Sequence, residues 1–73
     1  MKEPYNVMVV GLGKRGKHHV THFEQNERFK VTAICDIDQE RIDEVAAELD
    51  SPVTGRDAKT VAAEAKPDVF CFC

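Results

Sequence analysis

Between Val9 and Gly16 the chain reads VVGLGKRG, with glycines at positions 11, 13 and 16. Nothing else in the sequence restricts the fold as much, because of what lies on either side. Before it stands Tyr5–Val10 (YNVMVV), a short valine-rich run that stops at Gly11. Parallel strands covered on both faces lose their polar alternation, so this run predicts a buried strand. After it, over residues 14–26, Gly16, Val20 and Phe23 recur at i, i+4 and i+7 and make one packing face of a helix. The backbone must therefore leave a strand, turn sharply and enter a helix within a few residues, which glycine permits and most side chains obstruct.

The remainder repeats this alternation. Phe29–Cys35 (FKVTAIC) is β-branched and apolar, a second strand. Asp38 is placed to cap a helix over residues 39–49 (QERIDEVAAEL), with Ile42, Val45, Ala46 and Leu49 on one face and Ser51 and Pro52 closing it. Residues 52–54 suit a short third strand. Asp57 suits the cap of a further helix reaching Ala65, with Pro67 as its stop, and residues 68–73 (DVFCFC) read as a last buried strand. Strands alternating with helices imply an α/β fold with a parallel sheet and right-handed crossovers. The expected architecture is a partial Rossmann fold, the βαβαβ-type N-terminal half of a doubly wound, dinucleotide-binding domain covering residues 1–73.

A Gly-x-Gly-x-x-Gly alone is a weak signal. Here it follows a buried strand and opens a helix, and an acidic residue, Asp36, ends the next strand twenty positions after Gly16. Those are the conditions under which the motif binds a dinucleotide. Gly11 permits the turn, Gly13 lets the backbone approach a pyrophosphate, and Gly16 lets the helix pack on the sheet. The helix N-terminus around Lys14, Arg15 and Gly16 offers free N–H groups and a positive dipole end to the phosphates. Asp36 is expected to accept hydrogen bonds from the adenosine ribose, and Ile37 beside it is taken as part of the same cofactor-binding set. A carboxylate there opposes the 2′-phosphate of NADP, so NAD is favoured, although Lys14, Arg15 and Arg41 partly offset that charge.

Composition narrows the partners. Ten Lys and Arg against thirteen Asp and Glu give a net charge of -3, which argues against a generic nucleic-acid surface. No apolar run approaches the roughly 20 residues needed to span a membrane, and the start, MKEPYNVMVVG, does not resemble a signal peptide. Three cysteines, an odd number, argue against a disulfide framework and for buried thiols in a reducing, cytoplasmic setting. At 73 residues the chain suits one small domain with a marginal core.

Taken together, VMVVGLGKRGKHH, FKVTAICDID, ERIDEVAAEL and KPDVFCFC resemble the start of a Gfo/Idh/MocA oxidoreductase, the glucose–fructose oxidoreductase, inositol dehydrogenase and rhizopine-catabolism family. His19, three residues after the third glycine, fits that pattern, as does Asp36. The resemblance implies a nicotinamide-cofactor domain joined to a substrate domain. It implies reversible hydride transfer between the cofactor and an alcohol carbon of a sugar, polyol or related molecule, in a homo-oligomer. It also implies a catalytic lysine in a Glu-Lys-Pro motif and substrate residues beyond Cys73, so no catalytic residue is assigned and the 73 residues alone are not expected to be catalytic. A non-catalytic dinucleotide-sensing regulator and a different dehydrogenase or reductase share the first βαβ unit and stay open.

Other candidates have plainer explanations. Glu64-Ala65-Lys66-Pro67 precedes the last strand and carries an extra residue, so it reads as a helix end. His18 and His22 stand at i and i+4 without an evident third ligand, and no metal site is assigned. Cys35 lacks an identifiable base. The acidic helix over residues 38–50 reads as a solvated face. A sheet ending at the last strand exposes the edge and one flank of that strand, which predicts self-association.

Overall fold

The computed structural model describes residues 4–72. Among them the chain forms β1 (Tyr5–Val10), α1 (Lys14–Glu24), β2 (Phe29–Cys35), α2 (Gln39–Ala46), β3 (Val53–Gly55), α3 (Ala58–Ala65) and β4 (Val69–Phe72). The strands make one sheet in the order β3-β2-β1-β4, and every neighbouring pair is parallel. A parallel pair cannot be joined by a tight turn, so each connection crosses over through a helix.

Helices lie on both faces, which makes the sheet doubly wound. Val7, Val9, Val31 and Ile34 pack with Leu12, Val20 of α1, and Ile42 and Val45 of α2. Met8, Ala33 and Cys35 face the other way, onto Val61 of α3. In β2 the residues on the α1/α2 face, Val31 and Ile34, are three apart rather than two. A bulge explains this: Val7 pairs with Val31 and Met8 with Ala33, so Thr32 has no partner residue in β1. The bulge shifts the period-two alternation by one and leaves the buried Thr32 hydroxyl without a hydrogen bond among the described residues.

The helix boundaries differ slightly from those expected. Helix α1 ends at Glu24, two residues short of the expected range, and α2 at Ala46, before Leu49, the last residue of its apolar face. Their last turns tighten into i→i−3 bonds: Asn26 N–H donates to the Phe23 carbonyl (3.1 Å), and Leu49 N–H to that of Ala46 (3.1 Å). Leu49 still packs on the core, so the pattern outlasts the helix. Lys66 ends α3 in the left-handed conformation (φ 48°). Glu64-Ala65-Lys66-Pro67 is therefore a helix terminus.

The last strand corrects an expectation. It is not buried on both faces; among the described residues it is the sheet edge, paired with β1, with one flank exposed as expected of a sheet that ends there. Val69 and Cys71 turn towards the α1/α2 core and are half-buried. Phe70 and Phe72 point to the α3 side, 48% and 73% exposed, with rings stacked at 6.1 Å. The cause is reach: α3 lies chiefly over β2 and β3. Of the thiols expected to be buried, Cys35 is buried and Cys71 half-buried, while Cys73 lies outside the described residues.

Candidate functional site

The carboxyl ends of β1, β2 and β3 deliver Gly11, Asp36 and Arg56 to one edge of the sheet, the edge at which doubly wound folds bind ligands. The glycine loop between β1 and α1 runs along it. Gly11 has φ 92°, a left-handed conformation that disfavours other residues, and its N–H donates to the Cys35 carbonyl at 2.8 Å. Gly16 is buried in the first turn of α1, where a Cβ atom would stand 1.8 Å from the Gly11 carbonyl oxygen. Both glycines are therefore required by the chain's own backbone.

Gly13 is different. Its φ of −67° and ψ of −169° are open to any residue, and a Cβ there would meet nothing closer than Arg41 Nη1 at 3.8 Å, an ordinary contact. Neither conformation nor packing demands glycine at this position. What the absent side chain leaves is a bare approach to the backbone at the start of α1.

That helix start is also bare electrostatically. Asp38 and Asp57 cap α2 and α3, their side chains accepting from the N–H groups of Glu40 (3.0 Å) and Lys59 (3.2 Å). Gly13 caps α1 with no side-chain hydrogen bond, and its first turn holds no acid. Lys14 and Arg15 stand there instead, both exposed. Uncapped N–H groups, a positive dipole end and two cations form a site for an anion. Lys14 and Arg15 also line a basic depression of about 490 Å³ with His18 and His19 on the outer side of α1. The His18 and His22 rings lie 4.9 Å apart, tilted by 32°, on the same exposed face. Among the described residues no three His, Cys, Asp or Glu side chains gather as a metal site.

Asp36 is 7% exposed, the one buried charged residue among those described. Its Oδ2 accepts from the Leu12 N–H at 2.6 Å and its Oδ1 from the Asp38 N–H at 2.8 Å. The carboxylate thus ties the glycine loop to the start of α2. Burial pushes its pKa up, but the bonds from Asp38 and Leu12 and the nearby Arg41 guanidinium outweigh burial and hold it below the ordinary carboxylate range. Beside it, burial and the charges of Asp36 and Asp57 push the Cys35 thiol up, which disfavours the thiolate a nucleophile needs.

Ile37, at the tip after Asp36, is 80% exposed. It borders a cleft of about 400 Å³ lined also by Val10, Gly11, Cys35, Asp36 and Arg56. Arg56 is held there by donating from Nε to the Ile37 carbonyl at 3.1 Å. The structure thus gathers Gly11, Gly13, Lys14, Arg15, Gly16, Asp36 and Ile37 around one corner. Sequence reasoning missed Arg56, and the one signal for it was its place directly after a parallel strand.

The comparisons with known proteins agree with this geometry. A family model described as "Oxidoreductase family, NAD-binding Rossmann fold" (GFO_IDH_MocA) matches residues 5–73. Among solved structures, the WlbA dehydrogenase from Bordetella pertussis, crystallised with NADH and UDP-GlcNAcA, matches 94% of this chain with a TM-score of 0.84 at 20% identity. That likeness shows the fold, and the chain spans 20% of the length of the WlbA chain. No curated protein sequence matches. Since the family model runs from the first strand to the last residue, the chain belongs to the Gfo/Idh/MocA oxidoreductase family, in its NAD-binding Rossmann fold.

Proposed function

We propose that residues 1–73 are the adenosine-binding half of the cofactor domain of an NAD-dependent oxidoreductase that acts on an alcohol carbon of a sugar, polyol or related substrate. The bound nicotinamide supplies the hydride chemistry, and the residues of this chain hold the other end of the dinucleotide. The N–H groups at the start of α1, with Lys14 and Arg15, bind the pyrophosphate. Gly13 gives that pyrophosphate access to the backbone. Asp36 fixes the loop and presents its remaining lone pairs to the ribose, and Ile37 packs against the adenine over the adjoining cleft. Family membership supports the reaction class. The UDP-sugar bound by the WlbA dehydrogenase is consistent with a sugar-type substrate.

The observation that carries this reading is Gly13, the glycine that neither the backbone conformation nor the packing requires. Amide NMR titration with NAD tests it. Wild-type shifts should centre on residues 11–16 and on Asp36 and Ile37. Gly13→Ala should keep a dispersed spectrum yet bind NAD at least about tenfold more weakly, because a methyl there holds the phosphates off the N–H groups. Unchanged NAD affinity in that variant would remove the argument.

A further inference from the structure

Helix α1 carries His18, His19 and His22, and the dinucleotide reading of the glycine loop uses none of them. Gly16 and Val20 are buried on the inner side of the helix, and Phe23 packs on the same core. His18 and His22 therefore project from the opposite side, one turn apart, and both are exposed. Side chains at i and i+4 lie one above the other on a helix. The two rings do so here, with centroids 4.9 Å apart and planes tilted by 32°. Among the described residues neither imidazole has a hydrogen bond or an ion pair.

Imidazole is the commonest protein ligand for metals, and it suits the late first-row divalent ions. A second imidazole held one turn away on a folded helix is already in place when the first has bound, so the chelate closes intramolecularly. We propose that His18 and His22 together bind one such ion, Zn²⁺, Ni²⁺ or Cu²⁺, with water in its remaining positions. Two protein ligands make an open site, unlike the closed four-ligand set of a structural zinc. Lys14 and Arg15, four and three residues before His18 and both exposed, oppose a cation and keep its affinity modest. His19 is turned about 100° around the helix axis from His18 and is not a ligand. The site is independent of the dinucleotide reading of the glycine loop.

Amide and histidine-ring NMR titrations with Zn²⁺ test it on wild type, His18→Ala, His22→Ala and His19→Ala. All three positions are exposed, so each variant keeps the fold, and the dispersion of its metal-free spectrum checks that. In wild type the shifts should centre on residues 17–23 and saturate at one ion per chain. Loss of either His18 or His22 should weaken Zn²⁺ binding by about tenfold or more, because the intramolecular second ligand is gone. His19→Ala should bind within about twofold of wild type. Added salt screens the repulsion from Lys14 and Arg15, so affinity at this pair should hold or rise with ionic strength, whereas ions gathered by the exposed acids of α2 would be released. The pair is overturned if His18→Ala or His22→Ala keeps wild-type affinity, or if His19→Ala weakens binding as much as they do. It is equally overturned if the shifts centre on residues 39–50 and fade with salt, or if Zn²⁺ at about 1 mM shifts nothing on α1.

Discussion

Gly13 and Gly16 lie in the same loop, and their surroundings are opposite. At Gly16 a Cβ would overlap the Gly11 carbonyl oxygen at 1.8 Å, while at Gly13 it would find an arginine tip at 3.8 Å and little else. The inner side of the corner, made of Gly11, Gly16 and Asp36, is closed by its own backbone contacts. The outer side, made of Gly13, Lys14, Arg15 and Ile37, is open, and among the described residues no contact accounts for these choices. A glycine motif thus contains two kinds of glycine. One kind is explained by the folded chain, and the other by what the chain binds.

The sharpest way to break that distinction is Gly16→Ala. The overlap is with backbone, not with the end of a flexible side chain, so α1 must move away from the sheet. Helix α1 carries Val20 and Phe23 into the larger core, and that packing loosens with it. The expected loss is about 3 kcal/mol or more, at the severe end for a single substitution. For a domain of marginal stability that amounts to unfolding. Circular dichroism during thermal denaturation reads it directly, and a variant within about 1 kcal/mol of wild type would show that the loop relaxes and that Gly16 is not a fold glycine.

Asp36→Asn probes the same inner side more gently. An amide oxygen can replace one carboxylate oxygen, but the NH2 group then faces a backbone N–H, donor against donor, at either Leu12 or Asp38. The expected cost is about 1–3 kcal/mol. The wild-type carboxyl is held below its ordinary value in the folded state. Its contribution is therefore complete above the unfolded value of about 3.9 and is lost as pH falls through the lower, folded value. Unfolding measured at about pH 7 and about pH 3 should show the gap between wild type and Asp36→Asn narrowing in acid. A gap that stays constant or widens would mean that the carboxylate does not brace the loop.

Much of this was legible in the sequence, for physical reasons that also mark where legibility ends. Hydrophobic periodicity and valine-rich runs located every element, because burial on one helix face or both sheet faces forces those patterns. Helix ends were less visible: Leu49 packs on the core from a tight turn as it would from a helix, so periodicity does not register the change. At β4 an exposed flank follows from a sheet that ends there, but that Phe70 and Phe72 occupy it rather than Val69 and Cys71 depends on which face each helix covers, and the alternating run looks the same either way. At the site, spacing identified Asp36, but its direction was set by the Leu12 N–H, twenty-four residues away, and no local pattern encodes that. Arg56 escaped notice for the same reason. A lone arginine acquires meaning when the sheet order places the end of β3 beside β2.

The smallest expected effect tests the other half of the comparison. In Gly13→Ala two opposing contributions to stability nearly cancel. Replacing glycine at a φ and ψ that alanine adopts freely restricts the unfolded chain and stabilises by about 0.4–1 kcal/mol. Gly13 is also the N-cap of α1, where alanine is the poorer residue by a similar amount. The net change should fall within about 0.5 kcal/mol of zero, seen as overlapping denaturant transitions with equal slopes. Set beside the weakened NAD binding expected of the same variant, that result separates the two glycines completely, one lost to folding and the other to the ligand. A loss approaching that of Gly16→Ala would instead place Gly13 inside the packed corner. The position would then be explained by the fold, and the case for a phosphate at this loop would rest on the uncapped start of α1 and its two cations.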